Sequence, residues 1–302
     1  MAAATPVRDS QSKRRWADPR RRLFGVLFLP ALVFLLLFLV VPMLFMGALS
    51  FRENLSGQLL GPFDPTLKQY SQFIDTPSYL RLLLTSAVVA AIVGVFATLL
   101  AYPLAYFLRF KAGARSSAYL LLLLLPFWTS YLLRVVALRL MLGEKGVINN
   151  VLIAIGLIHD PIDALLYNRL AVIVTLVYVW IPFAALPILA ALQRVDPALH
   201  EAAADLYATP LSGFRRVTLP LSMPGVVVAF FMVFIPTVGE YVTPSFVGGT
   251  SGTMYGNIIQ DYFTRAANWP FGSALSMIML VATLIFSAVA LKLINVRRFV
   301  QL

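Results

Sequence analysis

The apolar residues of this chain are gathered into long blocks, and that grouping restricts its fold more than any other feature. An element half-exposed to water alternates polar and apolar positions with the period of a helix or a strand. Blocks without that alternation must be buried in lipid or in one another. Charged residues make up only 12% of the chain, against roughly a quarter in an ordinary soluble domain. Backbone N–H and C=O groups inside hydrocarbon have to be bonded within the segment, so about 20 consecutive apolar residues predict one spanning helix. Six segments qualify, at about 24–50, 82–108, 117–142, 169–192, 225–247 and 272–293. Short alternating strands of the kind a membrane β-barrel needs are absent from the sequence. The expected fold class is therefore an all-α integral membrane protein with about six transmembrane helices.

Side-chain chemistry removes several function classes. The sequence holds no cysteine, which excludes disulfides, thiolate metal sites and cysteine nucleophiles. His159 and His200 lie far apart, and neither opens a metal-ligand motif. No metal site is expected, and no histidine or carboxylate pair is placed for intramembrane catalysis, so the chain reads as no enzyme. The formal charge of +11 suggests nucleic acid until its distribution is read. Arg8, Lys13, Arg14, Arg15, Arg20, Arg21 and Arg22 crowd the N-terminal tail. Arg109, Lys111 and Arg115 follow the second span, Arg194, Arg215 and Arg216 the fourth, and Lys292, Arg297 and Arg298 the sixth. Together with the acids among them these segments hold the entire excess, and the remaining segments balance. The positive-inside rule assigns that side to the cytoplasm, with both termini facing in. Membrane lipid, not nucleic acid, is the expected partner of the basic tail, residues 1–23. The first block is too long for the apolar core of a cleaved signal peptide and is read as a retained span.

The outer connections contain an amphipathic stretch at Lys68–Ile74 and a short apolar piece at Val147–Ile158, which is too short to cross and is read as interfacial or re-entrant. The inner connection from about 194 to 224 is too long and polar for a simple turn. Asp196 before Pro197 has the order of an N-cap and first helical residue, starting a helix through Leu206. Thr209-Pro210 breaks it, and a second short helix is expected over Leu211–Thr218, ending before Leu219-Pro220. Two short helices there make a knob that another protein can grip.

At this point the sequence resembles the permease subunits of bacterial binding-protein-dependent ABC importers, whose signature is E-A-A, three residues, G, nine residues, I-x-L-P. Glu201-Ala202-Ala203 is followed at those offsets by Tyr207, Val217, Leu219 and Pro220, with Tyr207 standing where the family has glycine. The resemblance implies the ABC-importer permease core, residues 24–302 as the permease domain, a multi-pass location in the bacterial inner membrane, and a loop that docks into a cytoplasmic ATPase. Glu201, Ala202, Ala203, Asp205, Tyr207, Leu219 and Pro220 are its expected coupling residues. It implies as partners a second homologous permease subunit, two copies of the ATPase and an extracytoplasmic substrate-binding protein. No phosphate-binding G-x-x-x-x-G-K-[ST] loop occurs in the chain, so ATP and Mg are expected on the ATPase, with no cofactor here. The segments Leu125–Arg134, Lys145–Asn150, Pro236–Val242, Tyr255-Gly256-Asn257 and Asn268–Gly272 narrow the resemblance to the polyamine (spermidine/putrescine) branch, and so to a small cationic substrate.

Charge within a bilayer is costly and often functional. Glu240 stands about 14 residues, roughly 21 Å, into the fifth expected span, and Arg134 about 16 residues into the third, at a similar level. Thr237, Glu240, Tyr241 and Pro244 have the spacing of one helical face, as do Trp128, Tyr131 and Arg134. A polyamine needs carboxylates and aromatic faces, which makes Trp128, Tyr131, Glu240 and Tyr241 pathway candidates, with Asp261 near the outer surface. The alternative is a structural ion pair between Arg134 and Glu240. Pro126, Pro182, Pro187 and Pro236 are candidate kinks. Other ABC-imported substrates (an organic cation, an amino compound, an oxyanion or ferric ion) and an ion-coupled secondary carrier are the competing functions. The carrier class is expected to place several ionisable groups at mid-membrane and has no need of a cytoplasmic helical knob.

Overall fold

The computed structural model describes residues 28–53, 65–162 and 165–294, and among the described residues the chain is helical without a regular strand. The basic tail 1–23, the start of the first span, residues 54–64, and Arg297 and Arg298 lie outside the described residues. In chain order the helices are α1 (Phe28–Ser50), α2 (Lys68–Asp75), α3 (Pro77–Phe110), α4 (Ser116–Leu124), α5 (Tyr131–Leu142), α6 (Val147–Ala154), α7 (Arg169–Gln193), α8 (Ala198–Asp205), α9 (Pro210–Val238), α10 (Tyr255–Thr264) and α11 (Trp269–Ile294). Five of them, α1, α3, α7, α9 and α11, are long and apolar enough to cross a membrane. The segment Gly113–Ala154 completes a sixth crossing if it is counted as one broken span.

That segment corrects the continuous third span expected at 117–142. After α4 the chain tightens into a 3-10 turn, Leu125–Trp128, and then extends through Thr129 and Ser130. α5 leaves at 88° to the preceding helix. Pro126 sits in the turn, and its carbonyl accepts both the Thr129 N–H (3.2 Å) and the Thr129 hydroxyl (2.6 Å). The side chain thus bonds the backbone locally in place of the next helical turn. The stripe expected from Trp128, Tyr131 and Arg134 is lost with the break, because no single helix carries all three.

The fifth span is corrected at both ends. Instead of a separate helix over Leu211–Thr218, the chain runs from Pro210 to Val238 as one element containing a π-helical stretch, Phe214–Thr218. The wide π turn, with Leu219 N–H bonded to the Phe214 carbonyl, relieves the crowding that the Pro220 ring would meet in a regular turn. At its other end the helix stops at Val238, so Glu240 lies beyond it and not mid-helix.

The centre of the bundle is the mutual packing of α3, α7 and α9. Lipid tails are as apolar as leucine, so such helices associate through close van der Waals fit, not through exclusion from water. On α3 the fully buried Val93, Ala97, Ala101 and Ala105 recur every four residues, and they meet Ala184, Ala185 and Ile188 of α7 with Ala229 and Val233 of α9. Gly225 sets the closest approach of α9 to α7: a Cβ there would lie 2.5 Å from both the Pro187 carbonyl oxygen and the Ala191 Cβ. α11 packs on α1, whose other faces expose Leu29, Phe34, Phe38 and Leu44, as a lipid-facing helix does. Arg109, at the end of α3, donates to the carbonyls of Leu192 (3.3 Å) and Val195 (3.4 Å), pinning the end of α7. α10 is held to α3 by a buried bond in which Tyr255 N–H donates to Ser86 Oγ at 2.8 Å.

Candidate functional site

Two regions collect the residues singled out by the sequence. The first surrounds the end of α9. Gly239 closes that helix, and the chain turns at once into a short helical stretch that includes the π turn Pro244–Gly248. The Glu240 carboxylate caps this second stretch, with Oε1 accepting the N–H groups of Val242 (2.9 Å) and Thr243 (3.1 Å). These are the orphan donors that every helix start presents. The capping bonds use one oxygen of an acceptor-only group and leave the carboxylate capacity for another donor. The Tyr131 hydroxyl, at the first residue of α5, lies 2.6 Å from Thr243 Oγ1 and beside the same carboxylate. The break in the third span is what brings Tyr131 here. Gly256 lets α10 press on this turn: a Cβ at that residue would come within 2.5 Å of the Gly239 carbonyl oxygen and 2.8 Å of that of Glu240. Asn257 Nδ2 donates to the Tyr241 carbonyl (2.9 Å) and to Ser245 Oγ (2.8 Å).

Arg134 and Glu240 do not form the ion pair considered above. The ion pairs among the described residues are Lys68–Glu53 and Arg265–Asp261. The Arg134 guanidinium lies over the rings of Phe127 (5.7 Å) and Tyr131 (5.9 Å), and its buried Nε has no hydrogen-bond partner among the described residues. Glu240 spends its Oε1 on backbone donors, which a mid-helix residue would have found already bonded. The geometry therefore joins Tyr131 and Glu240, with Arg134 against the tyrosine ring. Trp128 stands 84% exposed on the turn before the break, and Tyr241 is partly exposed beside α10. Asp261 is set apart on α10, with Oδ1 3.4 Å from Arg265 Nε. Sequence reasoning passed over Thr243 and gave Gly256 and Asn257 no role. The signal for the last two was the Tyr255-Gly256-Asn257 run itself, a glycine beside an amide at a helix start.

The second region is the connection between α7 and α9. Asp196 Oδ1 accepts the Ala198 N–H at 2.9 Å, capping α8 as its position before Pro197 predicts. Thr209 Oγ1 accepts the Ser212 N–H at 3.3 Å and caps α9, with Pro210 in the first turn. Between these caps Tyr207 adopts φ 56°, and the Ala208 N–H reaches back to the Ala203 carbonyl at 3.0 Å. This is a Schellman closure with its left-handed residue at position 207, where glycine fits without the clash a Cβ brings. The departure from the signature therefore sits where backbone conformation makes glycine the least strained choice. Glu201, Ala202 and Asp205 are exposed, and so are Leu199, Leu206, Tyr207 (97%) and Leu211. Several apolar side chains are thus exposed on this connection. Leu219 and Pro220 lie at the foot of this loop inside α9, half-buried.

Residues 20–301 match the model of the family described as "Binding-protein-dependent transport system inner membrane component". The chain is similar to the spermidine/putrescine transport system permease protein PotB of Haemophilus influenzae, 35% identical over 254 residues that cover 83% of this chain and 88% of that one. PotB of Escherichia coli K12 is 35% identical over 216 residues, 72% of this chain and 78% of that one. Among solved structures, a bacterial alginate ABC transporter in complex with an alginate pentasaccharide-bound periplasmic protein has a chain that superposes with a TM-score of 0.70 at 18% identity, covering 92% of this chain and 95% of that one. At that identity the superposition establishes the fold. The chain belongs to the family of binding-protein-dependent transport system inner membrane components: it is a multi-pass permease subunit of an ABC importer, a transport component and not an enzyme.

Proposed function

We propose that this chain forms half of the translocation pathway for a polyamine of the spermidine/putrescine class, with a second homologous permease completing the pathway. Two copies of a cytoplasmic ATPase bind and hydrolyse ATP with Mg, and an extracytoplasmic binding protein delivers the substrate. The observation that carries the substrate class is the Glu240 carboxylate beside the Tyr131 hydroxyl, next to the break in the third span. An acid with an aromatic neighbour suits an ammonium group, and the 35% identity to PotB supports the same class. Coupling is assigned to residues 194–224, through Glu201, Ala202, Ala203, Asp205, Tyr207, Leu219 and Pro220. That assignment puts both termini and the basic tail 1–23 in the cytoplasm. Trp128, Tyr241 and Asp261 are proposed as outlying pathway contacts.

The test is ATPase activity of the assembled complex with binding protein and a ligand panel of spermidine, putrescine, a neutral amino acid, molybdate and ferric ion. Stimulation by the polyamines alone is the expected result, and stimulation by an oxyanion or ferric ion instead overturns the substrate class. Glu240→Gln retains a capping oxygen but removes the charge. It should lower polyamine transport at least about tenfold, the effect of losing one charge-assisted hydrogen bond, at unchanged protein accumulation. Equal losses of transport and accumulation would assign Glu240 a purely structural part.

A further inference from the structure

We infer that a groove along α3 beside the start of α7, at the end of the bundle remote from α8, binds one anionic phospholipid. The groove has a volume of about 510 Å³ and is lined by a single stripe of α3 residues together with Arg169, the first residue of α7. Its polar groups are Arg81, Thr85 and Arg169, and beyond them the stripe continues as Leu84, Val88 and Ile92. These positions recur at three- and four-residue intervals and so share one helix face.

Depth identifies the occupant. Arg81 and Arg109 are both on α3, 28 positions apart, or about 42 Å at helical rise. That is the distance across a bilayer with its headgroup regions, about 40–45 Å. Arg109 is fixed at the α8 end by its bonds to Leu192 and Val195. Arg81 therefore stands at the opposite headgroup level, and Arg169 opens the antiparallel α7 at the same level. Among the described residues no carboxylate lines the groove, and neither arginine belongs to the ion pairs among them. Arg169 donates to the Ser251 carbonyl at 3.2 Å, which holds it in place and leaves other N–H donors for a second partner.

The order down the groove is two cations at headgroup depth, a hydroxyl one turn lower, then apolar side chains, with Leu84 and Val88 about half exposed. That order matches a glycerophospholipid: phosphate between the arginines, ester carbonyl at Thr85, acyl chain along Leu84, Val88 and Ile92. A free phosphate would leave the apolar stripe unused.

Native mass spectrometry of the full chain released from detergent, with phosphatidylglycerol or phosphatidylcholine added, tests the assignment. One phosphatidylglycerol should be retained, and Arg81→Gln and Arg169→Gln should each lower its retention about tenfold, as the loss of a charge-assisted bond implies. Val88→Trp, which fills the lower groove and leaves both arginines, should lower it as well. Each variant is compared at wild-type thermal midpoint and monodispersity. Unchanged retention in the double arginine variant overturns the proposal, as does displacement of the lipid by soluble glycerol phosphate at equal concentration. Crosslinking of Val88→Cys to a co-expressed second permease, with lipid absent from the complex, would make the groove a protein interface and also overturn it.

Discussion

Replacing Tyr207 by alanine and by glycine separates two things that this residue does. Its ring is 97% exposed, so removing it disturbs no packing within the chain. Its backbone, at φ 56°, holds the left-handed conformation that closes α8. For a residue with a Cβ that conformation costs about 1–2 kcal/mol. Glycine avoids the clash but orders a freer unfolded chain, which offsets about 0.5–1 kcal/mol. Tyr207→Gly should therefore stabilise the α8 closure over Tyr207→Ala by about 1 kcal/mol, or about fivefold in the local opening equilibrium. The reporter is the Ala208 amide, which donates to the Ala203 carbonyl only while the loop is closed. Hydrogen exchange of the 198–209 peptide, measured on the permease without its ATPase, should be about fivefold slower in the glycine variant. Equal rates, or faster exchange with glycine, would refute the strain argument. ATPase binding then separates the second function: if the exposed ring touches the partner, both variants bind more weakly than wild type regardless of their exchange rates.

Glu201→Lys reverses a charge on the exposed face of α8 and should weaken ATPase co-purification by tenfold or more while membrane insertion is retained; normal transport by this variant would remove Glu201 from the coupling surface. Gly225→Val drives a side chain into Pro187 and Ala191 and should destabilise the α7–α9 crossing by about 1–3 kcal/mol, seen as a lower thermal midpoint in detergent; an unchanged midpoint would contradict the close approach. Ser86→Ala leaves the buried Tyr255 N–H without its acceptor and should cost about 1–3 kcal/mol, with α10 exchanging faster than α3. Uniform exchange across both helices would count against this anchor.

Much of the fold was legible because lipid imposes simple demands. A helix must be long and apolar to cross, and five of the six expected spans match helices of the structure. α8 was legible as well, since caps act locally: Asp196 before Pro197 marks a helix start in any context. The break after Trp128 was hidden in a leucine-rich run, where hydropathy measures burial and carries no direction. Pro126 signalled a kink, but the turn of 88° depends on where α5 finds its packing partners. Likewise Leu219-Pro220 suggested a stop, and a π turn let the helix continue.

By itself the sequence determined that this chain lives in a bilayer, roughly where five of its spans run, and where the capped helix of the 194–224 connection begins, because hydropathy, charge and capping are properties of neighbouring residues. Tertiary structure decided what the isolated charges do. Whether Glu240 meets Arg134, caps a turn or stands beside Tyr131 depends on where α9 ends and where the third span bends. The two meet only in the folded bundle, through contacts such as Tyr131 with Thr243, 112 positions apart, which no local pattern encodes.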